Sequence, residues 1–334
     1  MNRRRSLLSL AACIALLTAC SATKDDRLAV SVGQLDITPV PSSSSSSSSA
    51  PCKDDSLASL RPTGSLPAPN DMPPNSFMGA IWRRGYLIVG VDQNTKLLGY
   101  YNPNSKRFEG FDIDIAREIA QAIFGDDSSS RIHYRALLTD QRTAAVQNRS
   151  VDIVADAVTI TCQRKKSVAF SNVYFVAHER VLVRTDSKAR SPNDLSGKTV
   201  CATLGSTALS NIKKLPGVFP HPVSARTDCL VALQELDVDG ILTDDAILYG
   251  FLAQDPHTKL LDGNISNEPY GLAIAKDHPE FVRFVNAVLE QMRSDGQWTK
   301  IWNRWFGNLQ IGGRSAEAPV QPRACYQEDR CVAP

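Results

Sequence analysis

The feature that most constrains the fold is a regular alternation of short apolar strands and amphipathic helical segments. The run YLIVGV at residues 86–91 predicts a strand, and the apolar residues of Phe111–Phe124 recur every four positions, which predicts a helix with one buried face. The alternation reaches residue 158 and starts again after residue 180. This spacing is typical of an α/β fold with a mostly parallel sheet, and the restart predicts two α/β lobes around a cleft.

A candidate ligand site follows the β-branched strand predicted at residues 151–158. The strand runs into Thr159 and Thr161, and Arg164 comes three residues later. An arginine binds a carboxylate through two parallel charge-assisted hydrogen bonds, and the carboxyl end of a strand adds backbone N–H groups. These residues predict a site for a small anion. The alternative for Arg164 is a surface salt bridge.

Composition argues against several other kinds of protein. The chain has 334 residues, of which 43% are hydrophobic and 22% charged, and its net charge is +2, which suits a globular protein of about two domains. So small a net charge gives no strong field for nucleic acid or an anionic membrane surface. The sequence has no C-x-x-C motif and its five histidines are scattered, so we expect neither a metal site nor a cofactor.

The start of the chain has the pattern of an export signal. Arginines at positions 3–5 precede the apolar run 7–17, and LTAC ends at Cys20. The pattern resembles a bacterial lipobox, which implies a signal peptide at residues 1–19 and lipid attachment at Cys20; ordinary secretion is the alternative. Residues 20–75 are rich in serine and proline and predict a disordered tether between this anchor and the folded body.

Strings in the folded body carry a resemblance to one protein family. They are, in order, GYLIVGVD, FEGFDIDIAREIA, VDIVADAVTITCQRKKSVAFS, DLSGKTVCATLGSTA, ILTDDAILYG, EPYGLAIAKD and DGQWTKIWNRWFG. The chain resembles the extracytoplasmic solute-binding proteins of the polar amino-acid family, which capture substrates for ABC importers, and within it the glutamine-, glutamate- and aspartate-binding lipoproteins.

The resemblance implies a periplasmic-binding-protein-like fold, in which two α/β lobes are joined by two crossover strands. It places the crossovers near residues 181–184 and 269–273. The implied divisions are lobe 1 at residues 76–182 and 271–310, lobe 2 at residues 183–270, and a C-terminal tail at residues 311–334. A hinge between the lobes would close them on a ligand.

The resemblance also implies roles for residues around a free amino acid. Those that would hold its α-carboxylate are Arg164, Thr159, Ser206 and Thr207. The last two begin a helix, where they could also act as N-caps, a structural role that is compatible with binding the carboxylate. The α-ammonium would be taken by the backbone C=O of Ala157 and by Asp244, whereas Asp245 would be the helix cap.

Specificity for the ligand side chain is implied for Thr139 and Arg142, with Asp92 as a polar contact from the first lobe. Arg164 and Arg142 against Asp244 leave one positive charge in excess, which matches glutamate or aspartate. A neutral ligand would leave Arg142 without its counter-charge, which is costly where water is excluded. The alternative is that Arg142 is an exposed helix residue.

The cysteines suit an oxidising compartment. After loss of the leader and use of Cys20, an even number remains, and six cysteines allow fifteen pairings. We predict the pairs Cys201–Cys229, Cys52–Cys162 and Cys325–Cys331. The first would join a strand and the start of a following helix within one α/β unit.

These observations predict a monomeric, lipid-anchored receptor on the outer face of the cell membrane, in the periplasmic space. It would capture an acidic or amidated amino acid, with glutamate or aspartate favoured, and deliver it to an ABC permease. One alternative is a sensor that signals to a membrane partner without transport. A second is a periplasmic enzyme on the same fold, which would need a further acid or base in the cleft; we expect no enzyme.

Overall fold

The computed structural model describes residues 57–125, 128–311, 314–315 and 321–328. Its helices are Phe77–Arg84 (α1), Phe111–Phe124 (α2), Arg142–Gln147 (α3), Cys162–Lys165 (α4), Thr207–Ile212 (α5), Arg226–Gln234 (α6), Asp245–Leu252 (α7), Pro279–Ser294 (α8) and Gln297–Trp305 (α9). Short 3₁₀ turns are Ser128–Arg131, Thr139–Gln141 and Pro192–Leu195.

Its strands are Leu87–Val91 (β1), Asn94–Thr95 (β2), Gly99–Asn102 (β3), Arg107–Glu109 (β4), Ile132–Ala136 (β5), Ile153–Val154 (β6), Ala169–Phe170 (β7), Phe175–Arg184 (β8), Thr199–Thr203 (β9), Phe219–Val223 (β10), Gly240–Asp244 (β11), Thr258–Leu260 (β12), Asn267–Tyr270 (β13), Ala273–Ile274 (β14), Gln310–Ile311 (β15) and Arg314–Ser315 (β16).

The strands form two main sheets. The first has the order β5–β1–β6–β14–β7, with β1 parallel to both neighbours and β14 antiparallel to both of its own. The second has the order β10–β9–β11–β8–β12, with β9 parallel to both neighbours. We call the first sheet with α1–α4, α8 and α9 the first lobe, and the second sheet with α5–α7 the second lobe. The predicted α/β class with two lobes is confirmed.

The periodicity of α2 explains how the first lobe is packed. Ile115, Ile119 and Ile123 are completely buried, as the four-residue spacing predicted. By contrast, residues 279–305 form two helices, α8 and α9, and not one continuous helix. They separate at Gly296, whose φ of 77° is a left-handed conformation that glycine adopts without steric cost.

The two lobes are joined by a pair of antiparallel strands. The first part of β8 pairs with β13, from Phe175 opposite Tyr270 to His178 opposite Asn267. The rest of β8 pairs with β11 and β12 inside the second sheet. The crossover therefore lies at residues 175–178 of β8. The predicted position at residues 181–184 is wrong, because those residues already belong to the second sheet.

The predicted tether ends earlier than residue 75. Ser59 is buried, its N–H donates to the C=O of Cys325 at 3.0 Å, and its C=O accepts from the N–H of Gln327 at 3.1 Å. Asn286 of α8 donates to the Ser59 hydroxyl at 2.8 Å. Residues 57–60 and 325–327 therefore pack together on the first lobe. Cys20 lies outside the described residues.

The second lobe contains the predicted Cys201–Cys229 disulfide, which links β9 to α6. Cys162 and Cys325 also take part in disulfides. Their predicted partners, Cys52 and Cys331, lie outside the described residues, so those two pairings stay predictions. Among the described residues, no helix combines the length and the apolarity needed to cross a bilayer.

Candidate ligand-binding cleft

Loops at the ends of the strands of both lobes meet in one narrow space, which we call the central cleft. It is lined by Thr139, Arg142, Ala157, Thr159, Thr203, Ser206, Thr207, Ala208, Arg226, Thr243, Asp244 and Ile247. Its free volume is only about 10 Å³, enough for roughly one water molecule. Of the residues predicted for ligand contact, the structure brings all but Arg164 and Asp92 into this lining.

The binding segment of the first lobe leaves the sheet sooner than predicted. The strand expected at residues 151–158 is limited to β6, and Ala157 has a left-handed φ of 47°. The N–H of Ala157 donates to Asp112 at 2.9 Å, and the hydroxyl of Tyr174 donates to the same carboxyl at 2.8 Å. Asp112, in the first turn of α2, thus holds the segment that carries Ala157 and Thr159. Burial raises the pKa of Asp112 to about 7.

Arg142 is buried in the cleft, with 3% of its surface exposed, so it is not an exposed helix residue. Its Nε donates to the C=O of Thr139 at 2.8 Å, and one Nη donates to the C=O groups of Asp156 and Ala157 at 2.8 and 3.0 Å. The other Nη donates to no described residue. Burial, followed by the charge of Arg164, lowers the pKa of Arg142 to about 9.

Thr139 adds a second polar group at this end of the cleft. Its side-chain oxygen is buried and has no hydrogen-bond partner among the described residues. A buried hydroxyl without a partner is unusual in a folded protein. Together with Arg142, it offers a donor and a hydroxyl to a ligand oxygen.

Glu268 of β13 contacts two residues that line the cleft, and the sequence did not single it out. The hydroxyls of Thr159 and Thr207, from opposite lobes, donate to the same carboxylate oxygen of Glu268 at 2.7 and 2.8 Å. The other oxygen accepts from Ser266 at 2.6 Å. The one signal that could have identified it is its position at the start of EPYGLAIAKD, one of the segments that resemble the family.

Arg164 lies beside the cleft and connects the two lobes. Its guanidinium donates to the C=O of Thr159 at 2.7 Å and to the C=O of Gly205 at 3.0 Å. Gly205 has a φ of 74°, and a Cβ there would lie 2.7 Å from the Cα of Asp140 in the first lobe, so the approach needs glycine. Ser206 caps α5 by accepting from the N–H of Leu209.

Asp244 and Asp245 have different surroundings, but the predicted cap role of Asp245 is wrong, because α7 begins at Asp245 and its N-cap position is Asp244. Asp244 lines the cleft and accepts a hydrogen bond from the hydroxyl of Tyr270. Burial and the charge of Glu268 raise its pKa well above the usual range. Asp245 instead accepts from the backbone N–H groups of Ala246 and His178 at 2.8 and 3.1 Å.

Asp92 forms an ion pair with an arginine that the sequence did not single out. Arg226, the first residue of α6, donates to Asp92 and to Asp156 at 2.6 Å each. Asp92 and Arg226 also line a neighbouring cavity of about 150 Å³, which we call the side cavity. Arg226 comes from the second lobe and both carboxylates from the first, so this ion pair crosses the cleft.

The carboxyl oxygens of Glu179, Asp244 and Glu268 lie within 4.8 Å of one another, close enough for one cation to reach all three. Burial and the charge of Glu268 raise the pKa of Glu179 to about 7. The raised pKa values of Asp244 and Glu179 mean that these two carboxyls hold protons more readily, which reduces the repulsion within the group. Ser266, Thr207, Tyr270 and Asn211 already donate to members of the group.

About two thirds of the chain is similar in sequence to proteins named for amino-acid binding. The ABC transporter glutamine-binding protein GlnH of Bacillus subtilis is 36% identical over 231 residues, which cover 69% of this chain and 84% of that protein. The glutamine-binding protein of Geobacillus stearothermophilus is 39% identical over 205 residues, covering 61% and 78%. The glutamate-binding protein GluB of Corynebacterium efficiens is 31% identical over 234 residues, covering 67% and 79%.

Solved structures match over a similar share of the chain. An ancestral arginine-binding protein bound to glutamine superposes with a TM-score of 0.62 at 32% identity, covering 67% of this chain and 99% of that one. The ancestral amino-acid-binding protein AncCDT-1, a precursor of cyclohexadienyl dehydratase, gives 0.63 at 30% identity, covering 69% and 100%.

A family model matches residues 87–308, which include both sheets and every residue of the central cleft. The description of that model is bacterial extracellular solute-binding proteins, family 3. The chain belongs to this family.

Proposed function

We propose that this protein is the receptor of an amino-acid ABC importer, held at the outer face of the membrane by lipid on Cys20. Its ligand is an amino acid with an amide or acid side chain. The relatives named for glutamine and glutamate binding support this ligand class. The lipobox-like LTAC sequence supports the anchor.

The observation that carries the proposal is the complementarity of the cleft to a zwitterion. Arg164 and the Thr159 backbone lie on one side, and Asp244 lies on the other. Since the hydroxyls of Thr159 and Thr207 already donate to Glu268, the ligand carboxylate would use backbone N–H groups and Arg164. The ligand side chain would then extend toward Thr139 and Arg142.

The charge balance favours glutamine over glutamate. The count from sequence included Arg164, Arg142 and Asp244 only. The structure adds Arg226 with its two carboxylates, and Glu268, so three guanidinium groups face four carboxylates around the cleft. The positive excess that favoured an acidic ligand is therefore gone, and a carboxamide oxygen satisfies Arg142 as an acceptor. Glutamate or aspartate is the alternative.

Ligand entry would require the lobes to separate. A free volume of about 10 Å³ holds roughly one water molecule, which is far less space than any amino acid needs. The joining strands β8 and β13 are the natural hinge, and a ligand that touches both lobes favours the closed arrangement.

Titration calorimetry of the purified protein with each of the twenty amino acids tests the proposal. We expect glutamine to bind most tightly, and Arg164→Ala to abolish binding because it removes the carboxylate partner. Binding of no amino acid would refute the proposed function, and tighter binding of glutamate would restore the preference predicted from the sequence. Overnight incubation should return the ligand chemically unchanged.

Transport is tested separately. Deleting the gene in its host should abolish uptake of radiolabelled glutamine, and restoring the wild-type gene should recover it. A Cys20→Ala variant should bind glutamine in solution but support less uptake, because the receptor would no longer be concentrated at the membrane. Undiminished uptake by that variant would contradict the anchor.

A further inference from the structure

A guanidinium of the protein itself is bound between two carboxylates in the cleft. One Nη of Arg226 lies 2.6 Å from an oxygen of Asp92, 2.6 Å from an oxygen of Asp156 and 3.3 Å from the hydroxyl of Thr95. All three partners belong to the first lobe, whereas Arg226 begins α6 of the second. The set is buried: Arg226 is 6% exposed and Asp156 only 2%.

These carboxylates form a site for a cation. Two carboxylates held together away from water are costly unless a cation compensates them. The second oxygen of Asp156 is also buried and has no partner among the described residues, so the pair retains capacity to accept a hydrogen bond. Although burial alone would lower the pKa of Arg226, Asp156 and Asp92 raise it above its usual range.

The position of Arg226 gives this pairing a consequence for ligands. Arg226 lines both the central cleft and the side cavity, as does Thr139. Its side chain therefore lies where the two spaces adjoin. Removing it would extend the space available to a ligand side chain into the side cavity of about 150 Å³, with Asp92 and Asp156 left without their cation.

We propose that Arg226 determines the charge selectivity of the cleft. Its guanidinium occupies the place that the cationic end of an arginine or lysine ligand would take at Asp92 and Asp156, and so excludes those amino acids. Without it, two guanidinium groups would face four carboxylates around the cleft, a balance that favours a cationic ligand. The inference rests on the proposed function, namely that this cleft binds an amino acid.

Calorimetric titration of Arg226→Ala with L-arginine and L-glutamine tests the inference. We expect wild type to bind glutamine and no arginine, whereas Arg226→Ala should gain affinity for arginine by about 100-fold or more, the scale on which a buried carboxylate depends on its cation. Glutamine affinity should fall, because the ion pair across the cleft is lost. Arg226→Lys keeps a cation at the site and should gain no affinity for arginine.

A second variant separates the carboxylate site from general loosening of the cleft. Asp92→Asn combined with Arg226→Ala removes one carboxylate, and it should lose at least about tenfold of the gained arginine affinity. Equal arginine affinity with and without Asp92 would overturn the inference. So would arginine binding by wild type, or an Arg226→Ala protein that binds glutamine but not arginine.

Instability of Arg226→Ala would not leave the question open. If it unfolds on purification, refolding into L-arginine and into sodium chloride of equal ionic strength decides the matter. A cooperative thermal transition recovered only in arginine supports the inference, and failure in both contradicts it. Failure of wild type to bind any amino acid would instead refute the proposed function.

Discussion

Arg142 and Arg226 are both buried at the central cleft, but they are held by different partners. Arg142 donates only to backbone C=O groups, and burial together with Arg164 lowers its pKa to about 9. Arg226 donates to two carboxylates, which raise its pKa despite the opposing effect of burial. The first guanidinium keeps an uncompensated charge, while the charge of the second is neutralised within the protein.

This difference separates two roles for one residue type. A buried charge that no protein group neutralises remains available to a ligand oxygen, so Arg142 is suited to bind ligand. A neutralised charge contributes its position and volume, so Arg226 is suited to limit which ligand fits. The variants below are ordered by their expected effect on ligand affinity.

Among these variants, which leave Arg164 in place, the largest effect should come from Arg142→Ala. It removes the donor for the ligand side chain and takes a donor away from the C=O groups of Asp156 and Ala157, so glutamine affinity should fall by about 100-fold or more. Calorimetry measures the loss. The control is Arg135→Ala, an exposed arginine of β5, which should bind as wild type does. Near wild-type affinity in Arg142→Ala would remove the contrast with Arg226.

Asp244→Asn should have the next largest effect. It keeps the size of the side chain but replaces one carboxyl oxygen, which can accept from the ligand ammonium, by an NH₂ group that cannot, so affinity should fall by about tenfold to 100-fold. Asp245→Asn is the matched control, since Asp245 contacts Ala246 and His178 and does not line the cleft. It should lower thermal stability without changing affinity. The reverse pattern would exchange the roles of the two aspartates.

Asp112→Asn should change the pH dependence of stability more than it changes affinity. Because its pKa is raised to about 7, Asp112 holds a proton in the folded state between about pH 4 and pH 7, where the unfolded chain has released it. The free energy of unfolding should therefore fall as the pH rises through this window. Asparagine does not titrate, so the fall should be smaller by on the order of 1–3 kcal/mol.

Urea unfolding at both ends of that pH window measures the difference. Glu179, whose pKa is also raised to about 7, should keep its own contribution in both proteins. An unchanged fall in Asp112→Asn would show that Asp112 is already ionised in the folded protein. The charge balance near Arg226 would then be more negative than described, because Asp156 and Arg226 both act on Asp112.

The smallest effect on affinity should come from replacing both Cys201 and Cys229 by serine. The disulfide lies within the second lobe and links elements 28 residues apart in sequence, so its loss should lower stability by about 2–4 kcal/mol. Glutamine affinity should stay unchanged, because neither cysteine lines the cleft. A loss of affinity in this variant would mean that the cleft depends on the stability of the whole lobe.

Local patterns in the sequence predicted the fold well. The spacing of the isoleucines in α2 identified its buried face, and the interrupted alternation of strands and helices identified two lobes. What local patterns missed are contacts between distant segments. Residues 57–60 read as part of a tether because they lie within a stretch rich in serine and proline, and their pairing with residues 325–327 comes from the far end of the chain.

The cleft shows the same limit. Arg142 and Asp244 were found because their strings resemble those of a family. Arg226 and Glu268 were not, because their roles depend on partners 134 and 109 residues away. The early end of the strand before Ala157 was also missed. A β-branched run does not indicate that the N–H of Ala157 donates to Asp112 and not to a neighbouring strand.

The pairing of residues 57–60 with residues 325–327 has a practical consequence for measuring motion. Both stretches are fastened to the same half of the molecule, so a bead, surface linker or dye attached through either one would travel with that half. In the lobe opening proposed above, the other half would then move relative to a fixed frame. A single reporter placed on α6 or α7 would record each opening directly.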